Sequence, residues 1–346
     1  MARALWRSCQ AHVQTCRPYT LWYPGLVGLA GAALPDGPHP LWPMAAAWLV
    51  PTLGWVSAHY WGDYFDRHLD AIDKPQRPIP SGRLSPRAAV VSGSVCAAVA
   101  LGVVVVTDWR AVVLLVGALA GAVAYSRWLK ASGIAGNLAR GTLGLLAFLF
   151  GTLMTAPYPP AWAVPFALVF LVHDTASNLV GAVRDVDGDR TGGYRTVPVR
   201  RGPVVAASIA CSLYVASMVL AFGVMWSLPP YAAGMPLLLF AIACGAGAFV
   251  VLFSRQGPSC PTVALRAHSI LVVERLVLAG AVLAGGVGFL PAAAVLVPAL
   301  AVSVLTQATM RERHEFPTGL DAPGRAGLPD PSTPDPSPVA ESGRRG

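Results

Sequence analysis

Two groups of aspartates are the residues of this sequence best suited to chemistry. The first group recurs every three or four residues, and the second contains two aspartates four residues apart. At these spacings the carboxylates of a group lie on one face of a helix, where they repel each other unless a cation is present. Paired carboxylates completed by water are the ligands that Mg²⁺ takes when it also binds substrate phosphates. The candidate catalytic and metal-binding residues are Asp63, Asp66, Asp70, Asp185 and Asp189.

Other polar residues extend these two faces. Asp73 continues the first group, whereas Asp187 points away from the second and is expected in solvent. Asn178 and Asp174 lie two and three turns before Asp185 on its own stripe. Asp174 also falls inside an apolar run, and an ionisable residue at membrane depth is by default a candidate functional residue. We therefore expect Asp174 to line a cavity.

Each group of aspartates is followed by a basic loop that contains proline and glycine, at residues 74–83 and 190–198. Proline stiffens such loops, and glycine lets the backbone approach a ligand. Their Arg and Lys side chains can bind the phosphate oxygens that a metal leaves free, although membrane topology alone also explains part of the charge. Neither a P-loop nor a Gly-rich phosphate fingerprint is present in the sequence, so nucleotide chemistry is unsupported.

The elements that carry these residues are predicted to be membrane helices. Of 346 residues, 55% are hydrophobic and 12% are charged, about half the charge of a soluble domain. Helices are the expected spanning form, because the strands of a barrel alternate and show no long apolar runs. The sequence thus predicts an all-α polytopic bundle. Ten runs of membrane-spanning length lie at 19–34, 41–61, 88–107, 111–126, 138–156, 161–183, 203–228, 231–253, 268–290 and 291–307.

The basic residues indicate the orientation of these helices. The net charge is +8, but most Lys and Arg residues fall in the N-terminus, in every second loop or in the C-terminal tail. That distribution follows the positive-inside rule rather than a nucleic-acid interface, and it predicts that both termini are cytoplasmic. Nine or ten transmembrane helices are compatible with the sequence, and ten return Arg311 and Arg313 to the positive side. We expect a multi-pass protein of the cell membrane, with no nucleic acid and no obligate protein partner.

The motifs resemble those of a known family. Residues 62–70 (GDYFDRHLD), followed by KPQRPIPSGR, resemble the NDxxDxxxD signature of the UbiA superfamily of intramembrane prenyltransferases. Residues 184–190 (RDVDGDR), followed after a short stretch by RTVPVRRG, resemble its second signature, DxxxD. Between them, Tyr125, Lys130 and Asn137 are similar to the tyrosine- and lysine-bearing loop of the family. The likeness extends over residues 17–310.

The resemblance implies a helical bundle around a central cavity, in which Mg²⁺ ions on the two aspartate groups hold a prenyl diphosphate. It also implies transfer of the prenyl group to a hydrophobic or aromatic acceptor. Together, the helical stripe, the basic loops and the resemblance give the candidate substrate-binding residues Arg77, Tyr125, Lys130, Asn137, Asp174, Asn178 and Arg195. The expected domains are a cytoplasmic N-terminus (1–16), a membrane domain (17–310) over which the resemblance extends, and a cytoplasmic tail (311–346). The tail is rich in Pro, Gly, Ser and Asp, which predicts disorder.

One departure and two rival functions remain open at this stage. The leading Asn of the first signature is Gly62 here, and His59 or Asn178 is the available substitute. Some UbiA-like proteins are terpene cyclases, in which the cation is attacked by its own chain, and both activities need the same aspartates. An ion-coupled transporter is disfavoured, because transporter acids cluster on broken helices near the membrane midplane.

Overall fold

The computed structural model describes residues 2–316, and every regular element in that part of the chain is a helix. Short helical turns and loops connect these elements. In chain order the α-helices are α1 (Ala2–Cys16), α2 (Pro18–Ala33), α3 (Leu41–Asp73), α4 (Pro86–Asp108), α5 (Val112–Ala124), α6 (Ile134–Thr155), α7 (Ala163–Arg184), α8 (Val186–Thr191), α9 (Val197–Arg201), α10 (Pro203–Ser227), α11 (Met235–Leu252), α12 (Pro261–Val287), α13 (Phe289–Thr306) and α14 (Glu312–Glu315).

Seven helical stretches of residues 2–316 are long and apolar enough to cross a membrane, so the protein is a multi-pass integral membrane protein. They are Pro86–Leu129, Ile134–Thr155, Ala163–Arg184, Pro203–Ser227, Ala232–Leu252, Pro261–Val287 and Phe289–Glu315. The first of them contains both α4 and α5. These two helices part at Asp108, which has an extended backbone and accepts a hydrogen bond from the Arg110 N–H at 3.0 Å.

The helix that carries the first aspartate group extends beyond the apolar run, as the spacing of the aspartates predicts. The apolar run ends near residue 61, but α3 continues to Asp73. The second group departs from the expectation of one continuous stripe. The α7 helix ends at Arg184, Asp185 has non-helical backbone angles (φ −91°, ψ 10°), and α8 begins at Val186. The Asp189 N–H still donates to the Asp185 carbonyl at 2.9 Å, so a single turn links the two aspartates across this break.

Small residues let the central helices approach each other closely. The α6 helix packs against both α2 and α7, and α12 packs against α2. At the α2–α6 crossing, a Cβ atom placed on Gly151 would lie 1.8 Å from the Gly28 carbonyl oxygen. Between α7 and α12, the buried side chains of His173 and Glu274 form a hydrogen bond of 2.7 Å. Backbone contact and one buried polar pair therefore fix the helices that surround the cavity.

The ends of the predicted domains fall on structured residues. The N-terminal stretch 1–16 contains α1, which is held to α3 by a 2.7 Å hydrogen bond between His12 Nδ1 and the Tyr60 hydroxyl. The tail was expected to begin at residue 311, but Arg311, His314 and Glu315 are buried. The expected boundary is therefore too early, because these residues pack against the cavity. The remainder of the predicted tail, 317–346, lies outside the described residues.

The α2–α6 crossing gives a prediction about stability. Replacing Gly151 with Ala should destabilise the protein by about 1–3 kcal/mol, because the new Cβ forces two backbones apart. The same substitution at Gly117, on α5, meets nothing within 4 Å. This control should be neutral or stabilising by up to about 1 kcal/mol, since Ala favours helix. Unfolding midpoints in detergent measure both changes, and equal midpoints for the two variants would contradict the close-contact argument.

Candidate active site

One cavity brings both aspartate groups together. Its lining includes all five predicted metal-binding aspartates, together with residues from α2, α3, α6, α7, α12 and the segment that ends in Glu315. The Lys74 ammonium nitrogen lies 3.9 Å from an Asp73 carboxylate oxygen and 3.0 Å from one of Asp185. On the other side, Gly188, which lies between Asp185 and Asp189, packs directly on the Asp73 carboxylate. The two groups thus face each other across the mouth of the cavity.

Each aspartate of the first group is paired with a basic residue from another part of the chain. The partners come from the start of α2, from the loop that follows α3 and from the turn between α5 and α6. Because the carboxylates are buried or nearly so, an unpaired negative charge would be costly there. The pairs are Asp63 with Arg17, Asp66 with Lys130 at 2.7 Å, and Asp70 with Arg77 at 2.9 Å.

The two aspartates of the second group have different surroundings. Burial alone would raise the pKa of Asp185, but the Arg184 guanidinium at 2.6 Å and the Lys74 ammonium hold it below its usual value. Asp189 forms no ion pair within the described residues. Burial, together with the charge of Asp185, raises the pKa of Asp189 to about 6. Asp189 thus lines the cavity without a direct ion-pair partner in residues 2–316, which leaves its carboxylate oxygens available to a cation.

The donor set suits a metal that shares its ligands with a substrate. In residues 2–316, no three acidic, histidine or cysteine side chains come close enough to enclose an ion on their own. Two carboxylate oxygens, Asp63 Oδ2 and Asp66 Oδ1, are buried and have no hydrogen-bond partner among the described residues. Hard oxygen donors that leave part of the coordination shell to water and phosphate are typical of Mg²⁺ sites. The residues present therefore fit Mg²⁺ bound together with a diphosphate.

Glu315 is the main site residue that the sequence analysis missed. Its buried carboxylate accepts hydrogen bonds or ion pairs from three cations, Lys74 at 3.3 Å, Arg77 at 3.2 Å and Arg184 at 3.2 Å. These same cations contact the aspartates. One feature of the sequence points to Glu315: it is an acidic residue in a basic segment directly after the last apolar run. The composition of the following residues places that segment in the tail instead.

The remaining predicted substrate-binding residues fall into two sets. Asn137, Asn178 and Tyr125 line the cavity and form a chain, in which the Asn137 amide donates to Asn178 at 2.8 Å and the Asn178 amide donates to the Tyr125 hydroxyl at 3.5 Å. Asp174 lines the cavity as expected. Arg195 is not among the described residues of the lining, because its segment packs on the neighbouring loop through its backbone, whose N–H donates to the Ala131 carbonyl at 3.1 Å.

The position that departs from the signature is open. Gly62 lines the cavity, and a Cβ placed there would meet only the Ser126 hydroxyl, at 3.7 Å. The two suggested substitutes are already engaged. His59 Nδ1 lies 3.2 Å from the Cys16 carbonyl oxygen, and Asn178 belongs to the amide chain described above. The space that an Asn side chain would fill is therefore available to ligand or water.

The deep end of the cavity is apolar. Beyond Trp55 and Leu143 it continues into a pocket between α3, α5 and α6. Apolar side chains form most of the wall of this pocket, among them Val50, Leu115, Leu119, Leu146 and Phe150. The cavity thus has a charged mouth and an apolar interior, which is the arrangement needed for a molecule with an anionic head and a hydrocarbon tail.

Comparison with known proteins agrees with this geometry. Residues 21–270, well over half of the chain, match the UbiA prenyltransferase family. This chain belongs to the UbiA prenyltransferase family. It is thus a prenyltransferase, an enzyme that transfers alkyl groups other than methyl.

Two curated relatives of this UbiA prenyltransferase bear the same name. Digeranylgeranylglyceryl phosphate synthase of Natronomonas pharaonis is 33% identical over 223 residues, which are 64% of this chain and 78% of that protein. The synthase of the same name from Ignicoccus hospitalis is 33% identical over 229 residues, which are 62% of this chain and 71% of that protein.

Solved structures share the fold. A UbiA homolog from Archaeoglobus fulgidus bound to GPP and Mg²⁺ superimposes with a TM-score of 0.61 at 16% identity, covering 78% of this chain and 99% of that chain. The structure of a UbiA homolog from the same organism with DMAPP and Mg²⁺ gives a TM-score of 0.59 at 18% identity, covering 77% and 98%. At such low identity the likeness concerns the fold alone. The helical arrangement of this UbiA prenyltransferase is that of the family.

The contacts of Glu315 give a prediction about this UbiA prenyltransferase. Replacing Glu315 with Gln should destabilise the folded protein by about 3 kcal/mol, because it leaves buried cations with less compensating charge. Glu312 lies three residues earlier on the same helix and is exposed, so Glu312→Gln serves as the control and should be neutral. Thermal unfolding in detergent measures both variants. Two neutral substitutions would show that the C-terminal segment does not pack as described.

Proposed function

We propose that this protein transfers an isoprenyl group from a prenyl diphosphate to a lipophilic acceptor in an Mg²⁺-dependent reaction. One observation supports this most directly: the two aspartate groups face each other across one cavity, and the basic side chains of Lys130, Arg77 and Lys74 lie between and beside them. Metal ions and a diphosphate need that alternation of negative and positive groups. Family membership gives the reaction class, and the homologs bound to Mg²⁺ and to prenyl diphosphates support the choice of ligands.

The chemistry assigns a role to each part of the cavity. When bound, Mg²⁺ neutralises the charge that develops on the departing diphosphate. Asp63, Asp66 and Asp189 supply carboxylate oxygens to the metal, and Lys130 and Arg77 donate hydrogen bonds to diphosphate oxygens. The C–O bond to the diphosphate breaks, and the allylic carbon then bonds to the acceptor, which loses a proton. Throughout, the apolar pocket holds the isoprenoid tail and keeps water from the cationic carbon.

The names of the relatives suggest a class of acceptor. A digeranylgeranylglyceryl phosphate carries two isoprenyl chains on glyceryl phosphate, so the acceptor for its second chain is a singly prenylated glyceryl phosphate. We propose geranylgeranyl diphosphate and geranylgeranylglyceryl phosphate as the first substrates to test, with aromatic acceptors as the alternative. An anionic lipid suits a cavity whose mouth is charged and whose interior is apolar.

We also propose the topology that brings these substrates to the site. The short α2 and the charged α3 would cross the membrane together with the other long helices, which gives nine or ten spans with both termini in the cytoplasm of the cell. The mouth of the cavity would then open to the cytoplasm, where water-soluble Mg²⁺ is available. The basic loops that follow α3 and α7 favour this orientation.

Removal of the metal or of a metal-binding carboxylate tests the reaction. We expect EDTA, Asp66→Ala and Asp189→Ala each to abolish product formation, because the charge on the departing diphosphate is then no longer neutralised. Asp187→Asn is the control, since Asp187 is exposed and, within residues 2–316, forms an ion pair with Arg190 alone. Radiolabelled geranylgeranyl diphosphate and mass spectrometry of the lipid products provide the readout. Full turnover in EDTA or in either Ala variant would refute the metal-dependent reaction.

The basic residues near the aspartates give a second test. Lys130→Ala should lower kcat/KM by about a hundredfold, since hydrogen bonds to charged groups contribute about 1.5–3 kcal/mol. Arg77→Ala should act in the same direction. Arg195→Ala should have little effect, because Arg195 carries the same kind of charge on a neighbouring loop without lining the cavity. Equal losses in the Lys130 and Arg195 variants would indicate a general effect of loop charge on topology instead of contact with diphosphate.

A terpene cyclase would use the same aspartates, so the acceptor must be varied. Incubation with geranylgeranyl diphosphate alone should release no hydrocarbon or terpene alcohol at a rate comparable to transfer. Release of a cyclic product in the absence of acceptor would show that this chain catalyses cyclisation and not transfer.

A further inference from the structure

Two arginines deep in the cavity differ from its other basic residues in their contacts. Arg140 on α6 and Arg275 on α12 both line the cavity, yet neither forms a hydrogen bond or an ion pair with a described residue. Arg275 is only 7% exposed, and its Nε is buried without a partner. Both guanidinium groups lie over aromatic rings. Arg140 is 3.8 Å from the centre of the Trp55 ring, and Arg275 is 4.5 Å from that of Tyr23 and 5.9 Å from that of Trp55.

The other basic residues of the cavity are engaged. Arg17, Lys74, Arg77, Lys130 and Arg184 each pair with a carboxylate within 3.3 Å. Arg311, which also lines the cavity, donates to the Gln307 side chain at 2.6 Å and lies 2.9 Å from His268 Nδ1. Among the basic side chains of the lining within residues 2–316, Arg140 and Arg275 are therefore the two that form no hydrogen bond and no ion pair. A guanidinium group that lacks an acceptor at membrane depth is costly unless a ligand supplies one.

The pair lies well below the aspartates. Trp55 precedes Asp63 by eight residues on α3, which places it about 12 Å along the helix axis. Arg275 follows His268 by seven residues on α12, or about 10 Å, and His268 is the residue that contacts Arg184 at the mouth. The diphosphate and the metal-binding carboxylates thus occupy one level, and the two arginines occupy a second level near the start of the apolar pocket.

The charge at this second level is positive. Asp174 is the acidic residue that the cavity and the apolar pocket share. Its Oδ1 is buried without a hydrogen-bond partner and lies 3.8 Å from His173 Nδ1. Within residues 2–316, Asp174 forms no ion pair with Arg140 or Arg275. Glu274, the neighbour of Arg275, is hydrogen-bonded to His173 at 2.7 Å and does not line the cavity. Among the lining residues at this level, the single negative charge of Asp174 therefore faces the two positive charges of the arginines. The planar guanidinium groups match the two oxygens of a carboxylate or a phosphate, and the stacking on Trp55 holds one of them in a fixed orientation.

We propose that Arg140 and Arg275 form a recognition site for an oxyanion carried by the acceptor. The assignment rests on the proposed function and adds to it that the acceptor is an anion held below the diphosphate. The shared chemistry is that of a phosphate monoester or a carboxylate. A prenylated glyceryl phosphate supplies the first, and an aromatic hydroxy acid supplies the second. Asp174 accepts a hydrogen bond from a hydroxyl of the same acceptor.

Matched acceptors test the proposal. The wild-type protein is assayed with geranylgeranylglyceryl phosphate against geranylgeranylglycerol, and with 4-hydroxybenzoate against its methyl ester. Removal of the oxyanion should raise the acceptor KM of the preferred pair by about tenfold to a hundredfold, the range for a charged hydrogen bond. The preferred pair identifies the source of the oxyanion. Equal KM values for the charged and neutral members of both pairs would overturn the proposal.

Variants then assign the effect to the two arginines. Arg140→Gln and Arg275→Gln should each raise the KM for the charged acceptor by a similar factor and leave the KM for geranylgeranyl diphosphate unchanged. Each variant should also lose the preference for the charged acceptor over its neutral analogue. Arg266→Gln is the control, because Arg266 is an exposed residue of the same helix as Arg275. An increase in the KM for the diphosphate alone would assign the arginines to the donor and overturn the proposal.

A binding measurement separates this proposal from the proposed function. Thermal stabilisation of the detergent-solubilised protein by each charged acceptor requires no turnover. The wild type should be stabilised and both Gln variants should not, while geranylgeranyl thiodiphosphate with Mg²⁺ should stabilise all three and so confirm that they are folded. Stabilisation of the wild type without any transfer would refute the proposed function and retain the site. Equal stabilisation of wild type and variants by the charged acceptors would refute the site.

Discussion

The pairing of buried carboxylates with basic side chains is the constraint on which the rest of this structure depends. A membrane protein cannot bury several acidic groups at the ends of its helices without compensating charge. Here the compensating cations come from distant parts of the chain, because Arg17 precedes α2 and Lys130 follows α5. The carboxylate of Glu315, after α13, pairs in the same way with Arg77 of the loop that follows α3. Each pair ties one helix end to another. The charges that we propose to bind the substrate therefore also hold together the mouth of the cavity.

This arrangement separates two demands that the reaction makes on the protein. A diphosphate and its metal ions require charge and water, whereas an allylic cation requires their absence. The helices satisfy both by carrying charged residues at one end and small or apolar residues farther along. Backbone contact at Gly28 and Gly151 brings α2 and α6 together, and α3, α5 and α6 leave a pocket between them. The positions of the charged residues along the helices thus divide one cavity into two chemical environments.

The local features of the site could be predicted from the sequence because they depend on helical spacing. The stripe of aspartates on α3 belongs to this class, as do Asp174 and Asn178, which precede Asp185 along α7 and line the same cavity. The partners of the acids could not be predicted in this way. Lys130 and Asp66 are 64 residues apart, and Lys74 and Glu315 are 241 residues apart. Composition also concealed the role of residues 311–316, since a short charged segment after the last apolar run resembles the tail that follows it.

The central claim is that the two aspartate groups hold one diphosphate between them through metal ions. Anomalous scattering from crystals grown with Mn²⁺ and geranylgeranyl thiodiphosphate tests it most directly, because Mn²⁺ takes the same oxygen ligands as Mg²⁺ and can be located independently of the protein. The account predicts Mn²⁺ between Asp66 and Asp189, with the diphosphate beside Lys130. Mn²⁺ bound to one aspartate group alone, with the diphosphate outside the cavity, would contradict it.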